Sequence, residues 1–422
     1  MKSADSSGGG GRFDAGMMYY TPQIWCSDNT DAIDRTKIQY GTSFFYPVST
    51  VGAHVSAVPN HQTGRVTGLD TRGITAMAGT FGYELNPALL KEEEKAAVRE
   101  QIQTYKKYEG LIRQGDYYRL SNPFEDEYSA WMFVSKDKKA ALLNVVRLNV
   151  QGNMATTYVK LKGLAQEAVY IDNASGRAYT GAALMAAGLP LPLAKTEYEA
   201  YQIALTEVEA AKNLYEVLQK HVDGKEGRTV ISIFGCSGCG KTTISAIISE
   251  YFQKDEVGCY VLSGDNYPIR IPEHNDAERL RIYEESGLEG LTDYLGTPNE
   301  IAFDRINDVI AAFKAGENVI TLRKMGRKAG EISDEKVDFS GVSILLIEWT
   351  HGGSEFLSGV DLPIYIDSTP ESTLENRIKR NRDKNAGSEL IKTVLRIEQQ
   401  KLQKQAEHAK IVLTEKGQIY EK

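Results

Sequence analysis

Thr229-Val-Ile-Ser-Ile-Phe-Gly235-Cys-Ser-Gly-Cys-Gly240-Lys241-Thr242 joins a β-branched apolar run to a glycine-rich turn. The run predicts a buried strand, and residues 242–253 after the turn predict a helix. From Gly235 onward the turn matches the eight-position phosphate-binding pattern, in the strand–loop–helix context that the pattern requires. Glycines let the backbone curl until several N–H groups point at phosphate oxygens. The stretch therefore predicts a nucleotide-binding α/β domain.

The loop also predicts the ligands. Lys241 is expected to bridge the β- and γ-phosphates of ATP, and Thr242 to hold Mg²⁺, so ATP and Mg²⁺ are the predicted cofactors. The positive end of the following helix favours the same anion. The residues predicted to bind the nucleotide are Gly235, Ser237, Gly238, Cys239, Gly240, Lys241, Thr242 and Thr243.

Strands and helices alternate after the loop. Apolar runs at 258–262, 318–322, 343–347 and 363–366 predict strands, and helices are expected between residues 276 and 315. Runs of this length with helical connections are typical of buried parallel strands. The predicted fold is a doubly wound parallel-sheet P-loop kinase domain, with its site at the carboxyl ends of the strands.

Two acids end predicted strands. Asp265 is expected opposite the loop, as a base for an acceptor hydroxyl or a ligand of Mg²⁺, or else as a helix cap. Glu348 closes an apolar strand and is a candidate Mg²⁺ ligand. Tyr267, Arg270, His274 and Arg323 are candidate acceptor contacts from their positions alone.

A basic cluster in a predicted helix comprises Arg377, Lys379, Arg380 and Arg382. It predicts a lid whose guanidinium groups meet the charge of the migrating phosphoryl group, or alternatively a solvated helix face. Cys236 and Cys239 form a CxxC inside the loop, without the second pair of ligands that a zinc site needs. They are either small residues tolerated in a tight turn or a pair whose oxidation would abolish ATP binding.

Together the loop, Asp265-Asn-Tyr267, the strand ending in Glu348 and the arginine-rich helix resemble the uridine kinase and phosphoribulokinase family. The resemblance implies that Asp265 is the catalytic base, assisted by Lys241 and Arg380. Uridine kinases usually carry Asp-Ser/Asp-Phe-Tyr where this chain has Asp-Asn-Tyr, so uridine is not the expected acceptor.

The N-terminal half resembles family 36 α-galactosidases over about 200 residues. The resemblance rests on Gly8-Gly-Gly-Gly-Arg12-Phe-Asp14, on Tyr19-Tyr-Thr-Pro-Gln-Ile-Trp25-Cys26-Ser-Asp28-Asn-Thr-Asp31 and on Gly52-Ala-His54-Val-Ser-Ala-Val-Pro-Asn60-His61-Gln. It implies a partial (β/α)₈ barrel remnant followed by a small antiparallel β domain. Asp28 would be the acid/base, with Asp31 as the alternative, and Arg12, Trp25 and Cys26 would line the sugar pocket.

Retaining glycosidases need a second carboxylate about 5 Å from the first. The family places it in a Lys-Trp-Asp tripeptide, which this sequence lacks, so we expect a truncated module without galactosidase activity of its own. The expected domains are the barrel segment at 1–115, the β domain at 116–207, a helix and linker at 208–228, and the kinase domain at 229–422. An apolar stripe predicts an amphipathic helix over 196–222.

Composition limits the partners. A net charge of -8 disfavours nucleic acid, and no apolar run reaches the roughly 18 residues needed to span a bilayer. Four cysteines and the lack of a secretory signal predict a cytoplasmic protein. The family resemblance implies a homo-oligomer.

The order of the two families resembles bifunctional α-galactosidase/sucrose kinases. It implies an ATP-dependent sugar kinase that phosphorylates sucrose released from raffinose. Two alternatives stay open: an α-galactosidase with a regulatory nucleotide-binding domain, and a uridine or phosphopentose kinase.

Overall fold

The computed structural model describes residues 4–6, 16–153, 155–225, 227–326, 328, 331–374, 377 and 389–422. The chain divides into two compact units, Met1–Glu207 and Val208–Lys422. Among the described residues, none of the helices combines the length and the apolar character that crossing a membrane requires.

The first unit begins with short strands and helices. Their bounds are β1 (Ala4–Ser6), α1 (Met17–Tyr20), β2 (Gln23–Trp25), α2 (Ala32–Thr42), β3 (Gly52–Ser56), α3 (Leu69–Ala76), β4 (Thr80–Glu84) and α4 (Glu92–Gln114). β1 pairs with β2 and β3 with β4, both in parallel. α4, with 23 residues, is the longest of these elements. Three glutamates in its first turn favour the positive end of the helix.

An antiparallel β domain follows. Its elements are β5 (Asp116–Arg119), β6 (Tyr128–Val134), β7 (Ala140–Arg147), β8 (Tyr158–Val159), β9 (Val169–Asp172), β10 (Ala178–Thr180), α5 (Gly181–Ala186), β11 (Leu189–Pro190) and β12 (Ala200–Glu207). The main sheet has the order β10-β9-β12-β7-β6-β5. Met132, Leu143 and Leu205 lie in its core with no exposed surface. The antiparallel β structure that the family resemblance implied for this region is therefore present.

The helix predicted over 196–222 is wrong in its first half. Residues Ala200–Glu207 form β12, which pairs antiparallel with β7 and β9. Tyr201, Ile203 and Leu205 alternate onto one core face, which is the period of two that a strand produces. The leucines and tyrosines of this segment also fit the apolar stripe of a helix. Pairing with two neighbouring strands determined that residues 200–207 form a strand.

The second unit carries the remaining elements. They are α6 (Glu209–Val222), β13 (Thr229–Gly235), α7 (Lys241–Lys254), β14 (Cys259–Ser263), α8 (Pro272–Tyr294), α9 (Phe303–Lys314), β15 (Val319–Lys324), β16 (Ser333–Asp338), β17 (Ile344–Glu348), β18 (Leu362–Asp367), α10 (Glu389–Ala406), β19 (Ile411–Thr414) and β20 (Ile419–Glu421). The main sheet has the order β14-β17-β13-β18-β19-β20. Its first five strands are parallel and β20 is antiparallel. The unit is thus an α/β domain with a mostly parallel sheet.

The strand predicted at 318–322 exists as β15 but does not join the main sheet. It pairs antiparallel with β16 to form a separate hairpin. Val319 is 55% exposed while Ile320 and Leu322 are each 4% exposed, so only one face of this strand is covered. A strand inside a parallel sheet would be buried on both faces. The alternation of exposed and buried side chains along β15 is therefore typical of a hairpin with one covered face.

The carboxyl ends of three neighbouring strands meet at one edge of the main sheet. Register places Ser263 of β14 and Ile233 of β13 opposite Glu348 of β17. The loop after β13 and the turn after β14 therefore leave the sheet side by side.

Candidate functional site

The loop between β13 and α7 depends on glycine at two positions. Gly238 and Gly240 have φ values of 84° and 95°, a region that side chains with a Cβ rarely enter. A Cβ at Gly238 would also lie 2.9 Å from Cγ of Arg377 and 3.2 Å from the Thr373 carbonyl oxygen. Gly240 is the N-cap of α7, so the first N–H groups of that helix point into the loop, where an anion can accept from them.

Lys241 lies across the loop at the start of α7. Its Nζ donates to the carbonyl oxygens of Gly235 and Cys236, each at 2.9 Å. The ammonium group is therefore held at the inner side of the turn, where the sequence predicted a phosphate-binding lysine. Ser237 is exposed and Thr243 is half-buried in the same turn and helix start.

Glu348 connects the loop to the neighbouring strands. Its Oε2 accepts from the Thr242 hydroxyl at 3.0 Å, and its Oε1 accepts from the Ser263 hydroxyl at 2.7 Å. Burial raises the pKa of Glu348, and the nearby carboxylate of Asp265 adds to this rise. Asp265 itself is exposed in the turn that follows β14. The three predicted metal candidates Thr242, Asp265 and Glu348 thus come together, and Ser263, which the sequence reasoning missed, joins them.

These groups suit Mg²⁺ in their chemistry. Carboxylate and hydroxyl oxygens are the hard donors that Mg²⁺ prefers, and it usually takes only one or two of them from the protein. Within the described parts of the chain, no three His, Cys, Asp or Glu side chains form a cluster that could hold a metal by itself. A site that shares its cation with a phosphate chain is consistent with both observations.

The basic helix is described only in part. Arg377 is 8% exposed, and its Nη2 donates to the Pro370 carbonyl oxygen at 2.8 Å. Its aliphatic stem lies against Gly238, so this arginine is beside the loop. Lys379, Arg380 and Arg382 lie outside the described residues.

The predicted acceptor contacts are dispersed. Tyr267 is 1% exposed and belongs to the core beneath the hairpin. Arg270 donates to the Tyr294 hydroxyl at 3.0 Å and to the Asn299 carbonyl at 3.3 Å. His274 is exposed on the first turn of α8. Arg323 lines an open cleft of about 370 Å³ together with Tyr267 and Arg305, and burial, followed by the charge of Arg305, lowers the pKa of Arg323.

A second polar cluster escaped the sequence reasoning entirely. Arg279 of α8 contacts the buried Glu300 through Nη2 at 2.6 Å, and Glu398 of α10 lies 3.8 Å from the same nitrogen. About 120 residues separate Arg279 from Glu398, and no spacing in the sequence connects them.

In the first unit, Trp25 stacks on His54 with ring centroids 4.5 Å apart and planes 9° apart. Cys26 is a free, half-buried thiol. Asp28 is exposed, and its backbone carbonyl accepts from Gln62 at 3.2 Å. Arg12 lies outside the described residues.

Asp31 has a different environment. It is 2% exposed, it caps α2 by accepting from the N–H groups of Ile33 and Asp34, and it pairs with Arg65. Burial pushes its pKa upward, but the Asp34 N–H, the Thr63 hydroxyl and the Arg65 charge together lower it. This carboxylate is committed to the fold, whereas that of Asp28 faces solvent.

Arg35 is a positioning residue that the sequence reasoning did not single out. It is 2% exposed and donates to the carbonyl oxygens of Ser27 at 3.0 Å and Gly52 at 2.6 Å. It therefore ties the turn between Trp25 and Asp28 to β3.

Comparison with known proteins identifies three segments. Residues 1–115 match the Melibiase family, residues 128–205 the glycosyl hydrolase family 36 C-terminal domain, and residues 230–404 the phosphoribulokinase/uridine kinase family.

Whole-chain similarity adds a relative with the same order of segments. The bifunctional alpha-galactosidase/sucrose kinase AgaSK of Mediterraneibacter gnavus is 62% identical over 98% of this chain, which spans 44% of that protein. Alpha-galactosidase AgaA of Geobacillus stearothermophilus is 52% identical over 46% of the chain and 26% of its own length. The solved galactosidase domain of AgaSK is 71% identical over 48% of this chain and 28% of that one, with a TM-score of 0.47.

The chain thus spans less than half of the length of AgaSK and about a quarter of that of AgaA. The uridine kinase and phosphoribulokinase resemblance and the family 36 resemblance are both confirmed. The chain thus combines two segments that match α-galactosidase families, at residues 1–115 and 128–205, with a segment at 230–404 that matches the phosphoribulokinase/uridine kinase family.

Proposed function

We propose that the second unit transfers the γ-phosphoryl group of ATP to a hydroxyl group of a small neutral sugar. The observation that carries this proposal is the hydrogen bond between Thr242 and Glu348 at 3.0 Å. It joins the last residue of the phosphate-binding loop to the acid that closes the neighbouring strand β17. A glycine turn with only a structural role does not require a buried carboxylate beside it, because burying that carboxylate costs free energy.

We propose in addition that the second unit is a doubly wound P-loop domain. The parallel order β14-β17-β13-β18-β19 supports it, because sequential strands on both sides of β13 require crossover connections. The contact of α7 with β13, β14 and β17 is consistent with one of these crossovers.

ATP and Mg²⁺ are the proposed cofactors. The N–H groups around Gly238 and Gly240 would hold phosphate oxygens, and Lys241 would exchange its carbonyl partners for the β- and γ-phosphates. Thr242, with Asp265 and Glu348 acting directly or through water, would hold the cation. Bound Mg²⁺ supplies neutralisation of the phosphate charge. Arg377, Arg380 and Arg382 are the proposed lid arginines.

Asp265 is the proposed general base. Its exposed carboxylate stands beside Glu348 at the edge where the acceptor must approach the γ-phosphate. A base positioned on the attacking hydroxyl contributes about 10²- to 10⁴-fold to the rate. Of the acceptor candidates, Arg323 has the open surroundings that a ligand needs, whereas Tyr267 and Arg270 are engaged within the fold.

Sucrose is the proposed acceptor. The support is the similarity to a bifunctional alpha-galactosidase/sucrose kinase over 98% of this chain. ATP as the phosphoryl donor is consistent with a cytoplasmic location.

We also propose that the first unit contributes to hydrolysis of α-galactosides. It would do so only together with the remaining strands of a complete family 36 barrel. The exposed carboxylate of Asp28 supports it as the acid/base, since the alternative Asp31 is buried and paired. The parallel pairs β1–β2 and β3–β4 support the interpretation of residues 1–115 as a segment of a (β/α)₈ barrel.

Coupled measurement of ADP release, with sucrose, fructose, uridine and ribulose 5-phosphate as acceptors, tests the kinase proposal. We expect release with sucrose. Asp265→Asn should lower kcat about 10²- to 10⁴-fold. Asp304→Asn, at an exposed position on α9, is the matched control and should keep full activity.

The other outcomes distinguish the alternatives. Release of ADP with uridine in place of sucrose would show that the acceptor is a nucleoside. Release with ribulose 5-phosphate would show that it is a phosphopentose. Binding of ATP without release for any acceptor would favour a regulatory nucleotide site. Unchanged kcat in Asp265→Asn would remove the aspartate from the role of base.

A further inference from the structure

Glu398, on α10, has an environment that the fold does not explain. Protein encloses its side chain on most sides, yet 17% of the side chain stays exposed. Among the residues that the structure describes, its nearest cationic group is Nη2 of Arg279 at 3.8 Å, which is longer than a hydrogen bond. Within the described part of the chain, no donor reaches this carboxylate. A recessed carboxylate without hydrogen bonds is costly, because it has lost water without a replacement.

Arg279 is already committed to another partner. Its Nε and Nη2 lie 2.7 Å and 2.6 Å from Oε1 of Glu300, and Glu300 is 2% exposed. Glu300 also accepts from Asn275 at 2.9 Å and from the Gly296 N–H at 2.7 Å. The Arg279–Glu300 pair is thus a satisfied buried unit that holds the guanidinium in place beside Glu398.

The position of Glu398 relates it to phosphoryl transfer. The Ile269 N–H, four residues beyond the proposed base Asp265, donates to the backbone carbonyl oxygen of Glu300 at 2.9 Å. The Glu300 that fixes Arg279 beside Glu398 is therefore joined to the turn that carries Asp265. Burial raises the pKa of Glu398, and the charges of Lys241 and Asp265 also act on it. The open acceptor capacity of Glu398 thus belongs to a hydrogen-bonded group that adjoins the proposed base.

We propose that Glu398 recognises the acceptor by accepting hydrogen bonds from its hydroxyl groups, and that Arg279, positioned by Glu300, assists as a donor. This inference rests on the proposed function. It names the residues that would select a neutral sugar with several hydroxyl groups as the acceptor. Two carboxylate oxygens can accept from two hydroxyl groups on adjacent carbons, and such charge-assisted bonds are the stronger kind. A phosphorylated sugar would bring a second negative charge to the same place and be rejected.

The steady-state kinetics of Glu398→Gln and Glu398→Asp in the full chain test the proposal, with Glu407→Gln, at an exposed position just beyond α10, as the control. For Glu398→Gln we expect the KM for sucrose to rise about tenfold, as for loss of one charge-assisted bond. The KM for ATP should stay within twofold, and discrimination against fructose 6-phosphate should weaken. Glu398→Asp keeps the charge, so it should raise the KM for sucrose but retain that discrimination. Glu407→Gln should match the wild type.

Three results would overturn the inference: an unchanged KM for sucrose in both variants, a rise confined to the KM for ATP, or discrimination that is equal in the Gln and Asp variants. The melting temperature of each variant shows whether it is folded, and the Asp variant carries the test if the Gln variant is not. Failure of the proposed function is distinguishable, because the wild-type protein would then phosphorylate no neutral sugar.

Discussion

The hydroxyl group of Thr242 donates to the carboxylate of Glu348 across a separation of 106 residues in the chain. The contact forms because β13 and β17 are adjacent parallel strands whose ends carry the two residues to one edge. It places the hydroxyl predicted to hold Mg²⁺ against a carboxylate whose pKa burial has raised. Burial of this carboxylate costs stability, and the proposed cation would offset that cost.

Glu348→Gln should therefore stabilise the ligand-free protein and weaken binding of Mg·ATP. An acid whose pKa is raised by folding is at its least costly when protonated, so its contribution to stability is lost as the pH rises above the ordinary value of 4.5 through the raised folded value. The gain in melting temperature should thus be larger at pH 8 than at pH 4.5. Differential scanning calorimetry at both pH values checks this, and isothermal titration with Mg·ATP checks the loss of affinity. A lower melting temperature at pH 8 would contradict the argument.

Gly238→Ala should weaken nucleotide binding and lower stability by more than a left-handed backbone alone explains. Gly316 offers the matched control, because its φ of 85° is nearly that of Gly238 at 84°, while a Cβ at Gly316 meets nothing within 4 Å. We expect about 1–2 kcal/mol of destabilisation for Gly316→Ala from the backbone. Gly238→Ala should cost more, since the new methyl group would press on Arg377 and Thr373. Urea denaturation followed by nucleotide titration measures both effects, and equal costs would refute the role of crowding.

Asp31→Ala should destabilise the protein, whereas Asp28→Ala should leave its stability almost unchanged. Asp31 caps α2 and pairs with Arg65, so its loss should cost at least the roughly 1 kcal/mol of an N-cap. Exposed Asp28 should change stability by less than about 0.5 kcal/mol. Because the folded pKa of Asp31 is lowered, its contribution is present above the unfolded value of 3.8 and is lost as the pH falls through the folded value. The difference between wild type and Asp31→Ala should therefore shrink in acid, as thermal unfolding at pH 7 and pH 3 would show.

Hydrogen peroxide should abolish the proposed kinase activity through the cysteine pair of the loop. The Cys239 thiol donates to Cys236, which lowers the pKa of Cys236 and favours its thiolate. Cys236 is 4% exposed, so the oxidant must be small: the thiolate would attack one peroxide oxygen and release hydroxide, which leaves a sulfenic acid. Cys239 would then displace the sulfenic hydroxyl group as water and close a disulfide. Dithiothreitol should restore activity, and bound Mg·ATP should protect.

Two variants make this prediction specific. Cys239→Ser cannot close the disulfide and should not be inactivated in that way. Cys259→Ser should respond like the wild type, because burial raises the pKa of the Cys259 thiol to about 12. Equal inactivation of Cys239→Ser and wild type would exclude the pair as the cause.

The conformation of the loop between β13 and α7 followed from the sequence alone. Gly235 to Thr242 are contiguous, and their conformation depends on local properties: a β-branched strand, glycines at positive φ and a helix start. For the same reason the bounds of α7 and of most strands in the second unit followed from short stretches of residues. Local chemistry predicts what local geometry determines.

Tertiary structure decided the rest, because strand order is not chain order. Residues 200–207 form the strand β12 because they pair with β7 and β9. β15 lies outside the main sheet because it pairs with β16 instead. The contacts of Glu348 with Ser263 and Thr242 depend on the order β14-β17-β13. Glu398 and Arg279 meet because α8 and α10 pack together. In each case the stabilising contacts are made with residues that are distant in the sequence. The sequence therefore predicted the site residues that are contiguous in the chain, and the tertiary structure was needed for the others.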